Sequence, residues 1–423
     1  MKQIYILLIA LLMGLSANAE KTGKCGPNLY WQLTDDGVLT ITGTGQMEDY
    51  NYSYNKNPWH NQNVKQVIIA DGVTTIGNYI FFECPKLKSI DIPNSVTTIG
   101  YAAFGSCTAL TSINLPNSVT TIGNAAFHSC TALTSINLPN SVTTIGNNAF
   151  SFCTALTTIN IPNSVTTIGN GAFFSCTALT TINIPNSVTT IGNAAFHSCT
   201  ALTSINLPNS VTTIGNNAFS FCTALTTINI PNSVTTIGND AFRACTELTS
   251  INIPNSVTTI DAFAFSYCSK LKQVDIPNSV TTLCRGLLRD CSSLESIRIH
   301  KDLVEIEEGV FDRCFKLTNI SCEAITPPTC DTDAFRDINK KKCKLFVPKA
   351  SIDTYKVANG WKKFSYIEAT TGITNNVYNK TELVDVYTID GTKRLSKASK
   401  EEMNALPKGV YIVNGKKIII KNQ

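Results

Sequence analysis

The sequence predicts a β-rich repeat solenoid in which short strands stack as parallel ladders, and three observations carry that prediction. A 23-residue block recurs without insertion through the middle of the chain, marked by Cys84, Cys107, Cys130, Cys153, Cys176, Cys199, Cys222, Cys245, Cys268, Cys291 and Cys314. Each copy places apolar residues at the same positions: Val119, Ile122, Phe127, Cys130, Leu133, Ile136 and Leu138 in one unit. One unit cannot bury those groups alone, but units stacked in register form a continuous core. Charge is scarce, at 15% of the 423 residues, against about a quarter in an ordinary globular chain. Residues 124–170 and 193–239 are identical, as a duplication of three units would leave them.

Taken in chain order, residues 1–19 read as a secretory signal peptide. Lys2 gives the positive start, Ile4 to Leu15 an apolar stretch, and Ala17-Asn18-Ala19 a small-x-small cleavage site. The apolar stretch is too short to span ~30 Å of hydrocarbon, and no later segment is long and apolar enough to cross a membrane. Residues 20–66 are expected to form an N-terminal cap, because a bare solenoid end exposes a strand edge and open core. Gly37-Val-Leu-Thr-Ile-Thr-Gly43 is strand-like there, and Tyr50 to Trp59 is rich in aromatic residues.

Repeats are expected over 67–325. In the run Leu133-x-x-Ile136-x-Leu138 alternate side chains point inward, which is the spacing of a leucine-rich-repeat strand. Pro139-Asn140 turns a corner, since proline has no N–H for a ladder and asparagine suits turn geometry. Val142-Thr-Thr-Ile145 is β-branched throughout and predicts a second short strand. Gly146 marks the next turn. Asp261, Cys284 and Glu307 stand at that position in later units, so a need for positive φ there is not absolute. Ala149-Phe150 with Cys153 is expected to close the unit as a short helical or 3-10 turn. At ~4.8 Å per rung the eleven cysteine-marked units make a slab of roughly 50 Å. Pro327-Pro328 breaks the period, Asp333-Ala-Phe335 echoes the Ala-Phe turn, and 326–370 is expected as an atypical terminal repeat. Residues 371–423 read as a small β module, with alternating Val384–Ile389 and Val410–Val413 around the hairpin dipeptides Asp390-Gly391 and Asn414-Gly415.

Several function classes are disfavoured. A net charge of +4 leaves no electrostatic footprint for nucleic acid or anionic lipid. No Gly-rich phosphate loop, metal-ligand cluster or positioned triad stands out, so neither an enzyme nor a cofactor nor a metal is expected. The stacked cysteines read as buried thiols. Neighbouring rungs hold Cβ atoms farther apart than the ~3.8 Å of a disulfide, and an odd number cannot all pair. Cys25, Cys322, Cys330 and Cys343 remain open to disulfide formation. His128 and His197, each two residues before a ladder cysteine, read as solvent-facing turn residues. The Glu305, Glu307, Glu308 cluster and Lys340-Lys341-Lys342 read as solvated faces.

From Ile92 to Asn239 there is no Asp, Glu, Lys or Arg. Thr, Ser and Asn tolerate stacking where like charges repel. Asn114, Asn137, Asn160, Asn183, Asn206, Asn229 and Asn252 each lie between two inward apolar residues and are expected to form an outward strip. Such a strip suits glycans or extended peptides and disfavours charge-steered partners.

The Leu133–Gly146 run, with Phe150 and Cys153, resembles the BspA-like leucine-rich-repeat family of bacterial surface proteins. Cys25-Gly-Pro-Asn-Leu-Tyr-Trp31 with Pro58-Trp59 is similar to the segment that often precedes such repeats, and Val347-Pro-Lys349 through Trp361 to the family's terminal unit. The resemblance implies a surface-exposed or secreted adhesin whose partners are host matrix proteins such as fibronectin and fibrinogen, glycans or other microbial surfaces. It also implies an anaerobic habitat, which would reconcile free thiols with export. Residues 371–423 resemble a type IX secretion sorting domain through Val386-Tyr387, Asp390-Gly391, Leu406–Ile412 and Lys416-Lys417. The alternative is a structural spacer of the cell envelope without a soluble ligand.

Overall fold

In a computed structural model of the protein, residues 21–370, 384–388, 392–398, 409–413 and 416–420 are described. The expected signal peptide and both hairpin dipeptides lie outside them. The chain divides between Glu368 and Ala369 into two compact units. The first is a parallel β-solenoid of about 13 turns with almost no helix.

Most repeats contribute a strand of three or four residues and one of two, each paired in parallel with its copy in the next unit; the unit at Asn183 keeps only single bridges in place of its longer strand. Ser135↔Thr158, Ile136↔Ile159 and Asn137↔Asn160 set the register of the first ladder, and Thr144↔Thr167 with Ile145↔Ile168 that of the second. The three-residue strands stop at Asn137 and its equivalents because Pro139, two residues on, has no ladder donor. Serine then fastens the corner: Ser141 Oγ donates to Val119 O, and Ser164 to Val142 O, both at 2.5 Å.

Inside, the phenylalanines make one stacked column. Successive rings from Phe104 to Phe265 lie 5.3–5.6 Å apart and within 8° of parallel. Each ring is fully buried, which stabilises the fold by about 1.5–3 kcal/mol per side chain. Tryptophans close both ends. Trp59 stacks on Phe81 at 5.6 Å with Trp31 edge-on to it, and Trp361 packs 5.3 Å from Phe335. The cap strands Lys21–Gly26, Leu29–Leu33 and Val38–Gly43 pair antiparallel, then hand over to the parallel strand Gln66–Ile69. Gly37–Gly43 thus folds as expected.

The segment expected to be a short helical or 3-10 turn is instead a ladder of turns. Ala125 and Ser129 adopt left-handed φ of 54° and 57°, and two positions per unit repeat this, mostly without glycine. Left-handed backbone costs about 1–2 kcal/mol per residue. Complete hydrogen bonding offsets it. Ala125, Phe127 and Ser129 donate to Asn147, Ala149 and Ser151 of the next unit, while Ala126, His128 and Cys130 donate three residues back. A helix would direct every donor inward and leave the units unjoined.

Gly146 is not among the positive-φ residues. A Cβ there would sit 2.7 Å from the Gly123 carbonyl carbon and the Asn124 nitrogen, so glycine serves close backbone approach. Where Asp261, Cys284 and Glu307 replace it, the ten-stranded ladder ends at Thr259–Ile260 and a separate three-stranded sheet begins at Thr282–Leu283.

The second unit carries a four-stranded antiparallel sheet. In spatial order its strands are Lys393–Ala398, Val384–Thr388, Gly409–Val413 and Lys416–Ile420.

Candidate binding faces

All seven expected asparagines fall on one face in one row. Asn114, Asn137 and Asn160 are register partners. Asn183 links Asn160 to Asn206 by single bridges, and Asn229 and Asn252 continue the row. Each is exposed between buried neighbours, as Asn137 is between Ile136 and Leu138. None of the seven side chains hydrogen-bonds within the described residues. Two positions before each asparagine, an exposed hydroxyl (Ser112, Ser135, Thr158, Thr181, Ser204, Thr227 or Ser250) is equally uncommitted. That second row was legible in the same alternation, yet sequence reasoning singled out only the amides.

Other polar rows are spent on the fold. Thr134 Oγ1 donates to Thr111 O and Thr226 Oγ1 to Thr203 O. A different asparagine row, at the turn, caps backbone: Asn124 Oδ1 accepts from Asn147 N, and Asn147 Oδ1 from Asn170 N, both at 2.8 Å. Apolar neighbours mark the first row in sequence, whereas the commitment of the second to backbone shows only in its hydrogen bonds. Charge bounds the free row, with Asp91 one repeat before Asn114 and Asp275 paired with Asn252, followed by Arg298. Between those ends a ligand meets amide and hydroxyl groups in rungs ~4.8 Å apart.

The ladder cysteines are free and buried. From Cys107 to Cys314 each ladder thiol donates to a carbonyl of the preceding unit, Cys130 to Phe104 O at 3.1 Å and Cys153 to Phe127 O at 3.2 Å. Burial pushes the Cys130 thiol up to about 12, so it stays protonated and inert. Cys25, Cys322, Cys330 and Cys343 are free as well; Cys322 meets the Tyr355 hydroxyl at 3.1 Å.

The histidines differ from expectation. His128 and His197 are half-buried in an aromatic row along the turn face. His128 lies edge-on to Phe152 at 5.5 Å, and His197 stacks on Phe174 at 4.6 Å. Burial lowers both pKa values, favouring neutral rings. Their ring nitrogens contact serine hydroxyls, Ser151 for His128 and Ser198 for His197. Among the described residues no group of three or more His, Cys, Asp or Glu is placed to hold a metal ion, and no helix is long and apolar enough to cross a membrane.

A capped parallel ladder with one uncommitted face defines a leucine-rich-repeat solenoid, a fold that is typically a non-enzymatic binding scaffold. The family model for the BspA type leucine rich repeat region, six copies long, matches residues 53–180, 166–293, 236–362 and 287–399. The chain belongs to that family, which implies a protein-binding role. A leucine-rich repeat protein from Bacteroides ovatus is 26% identical with a TM-score of 0.61, over 82% of this chain and 99% of that one. Another from Eubacterium ventriosum is 26% identical with a TM-score of 0.54, over 76% and 95%. No curated protein matches the sequence.

Proposed function

We propose that this protein is an adhesin-like binding protein displayed outside the cell, which uses the uncharged strand face to hold a host matrix protein, a glycan or another microbial surface. The observation that carries this reading is the contrast between the two asparagine rows. One row is consumed by backbone caps, whereas Asn114 to Asn252 is exposed and uncommitted. Regular amide and hydroxyl groups without charge favour an extended, uncharged polar ligand. Family membership and the leader-like Lys2 to Ala19 support display outside the cell. The C-terminal antiparallel sheet is proposed as the sorting module. A spacer reading draws on the identical blocks 124–170 and 193–239, which lengthen the slab without diversifying its surface.

The test is binding of purified full chain to an array of matrix proteins and mucosal glycans. A hit that disappears when Asn137, Asn160, Asn183 and Asn206 are changed to alanine, with the thermal melt unchanged, supports the reading. A hit unaffected by that change contradicts it, and no hit favours the spacer.

A further inference from the structure

The turn face carries a second, chemically different row that the strand-face reading leaves unused. Phe152 lies 5.3 Å from Phe174, and Phe174 4.6 Å from His197. His197 in turn lies 5.4 Å from Phe221. Phe152 and Phe221 are 41% and 39% exposed, at a position that four nearby units fill with a small residue (Ser129, Ser175, Ser198 and Ala244) and only Tyr267 with another aromatic ring. The fold therefore does not need aromatic rings there. Arg243 sets the first charge in the row on one side, between the rings of Phe221 and Tyr267 at 5.8 and 5.3 Å. Glu83 stands at the other side, half-buried, next to Phe82.

We propose that this row is a self-association surface, on which a second copy of the chain docks antiparallel. Two-fold symmetry requires that a residue contacting its mate be contacted in return, and the two ends and the centre of the row satisfy this about its midpoint, while Phe221 falls opposite Gly105. Reversal sets Glu83 against Arg243, His128 against His197, and Phe152 against Phe174. Opposite charges meet at both ends, and the centre is apolar. Two further features favour a copy of this chain over another partner. The block from Ile92 to Asn239 has no charged residue, so two copies approach without like-charge repulsion. Both also share one 23-residue rung spacing, so a match at one rung holds along the row. Glu83 is only loosely engaged at home, 4.0 Å from His60, and Arg243 is 3.4 Å from Asp240.

From Phe82 to Arg243 the row spans seven repeats, ~34 Å at the usual strand spacing. A stripe of that length covers less than the ~800 Å² per partner of a standard interface, so the association is weak and depends on crowding.

Sedimentation velocity of the full chain over a concentration series tests the proposal. A concentration-dependent dimer is expected. Phe152→Ser with Phe174→Ser, residues that other units carry at those positions, should weaken it about tenfold without changing the melt. Glu83→Arg and Arg243→Glu should each weaken it, and the two together should restore it. A monomer at every concentration overturns the proposal, as does a dimer indifferent to the serine changes or charge reversals that fail to rescue one another. Serine variants that sediment unchanged but lose binding on the glycan array overturn it too, by assigning the row to another occupant.

Discussion

Two regions of this solenoid build the same 23-residue turn from different chemistry. From Ile92 to Asn239 every rung is uncharged, the phenylalanine column is unbroken, and the second ladder runs through as one sheet. After Asp240, charges enter every unit, Leu288 interrupts the column, and the second ladder restarts. Many of these charges alternate in sign from one rung to the next: Arg289, Asp312 and Arg336 in one row, Asp290 and Arg313 in the next, Glu247 and Lys270 in a third. A ladder sets identical positions side by side, where like charges repel and neutral or alternating residues avoid that cost; Glu307 beside Asp331, at the edge of the last short ladder, is an exception. The central region takes the neutral solution and the C-terminal region the alternating one.

The largest expected effect breaks the central column. Phe173→Ala removes a ring stacked on both faces, and should destabilise the protein by ~3–5 kcal/mol in urea melts followed by circular dichroism. Leu288→Ala, at the interruption, should lose less. Next comes the alternating network. Asp312 is fully buried and pairs with Arg336 at 2.5 Å and Arg289 at 3.4 Å. Asp312→Asn removes the carboxylate that half-exposed Arg336 pairs with and leaves Arg289 with Asp290 alone; it should cost about 2 kcal/mol, below the range for fully buried pairs.

Acid provides a third contrast. Burial raises the Asp312 pKa, but Arg336, Arg289 and Arg313 more than offset this, so the net shift is downward. A carboxyl depressed in the folded state contributes stability above its unfolded pKa of about 4, and loses it as pH falls through the folded value. Hydrogen exchange should show the C-terminal units opening first below about pH 4. The central units, with no carboxyl group, should keep their protection. Equal loss in both regions would dissolve the comparison.

The smallest effects separate the asparagine rows. Asn147→Ala removes the acceptor of the Asn170 N–H and should cost about 1 kcal/mol. Asn183→Lys, on the free row, should stay within about 0.5 kcal/mol.

The period made the fold legible, because fixed apolar positions such as Ile136, Leu138 and Phe127 can be buried only by stacking. The outward Asn114–Asn252 row followed from alternation alone. The turn was less legible. Ala125 and Ser129 are not residues that announce left-handed backbone, and the bonds that hold them there come from the next unit. For the same reason Gly146 read as a turn former, when its role is to let two backbones approach. His128 read as solvent-facing because its neighbour Phe152 lies a full repeat away in sequence.

The most direct test of the account is the salt dependence of the dissociation constant for whichever ligand the full chain binds. A binding site on the uncharged rows predicts nearly the same Kd at low and physiological salt, together with loss of binding in the Asn137, Asn160, Asn183, Asn206 alanine variant. Affinity that falls steeply with salt would contradict it, and would move the site to the charged units beyond Asp275.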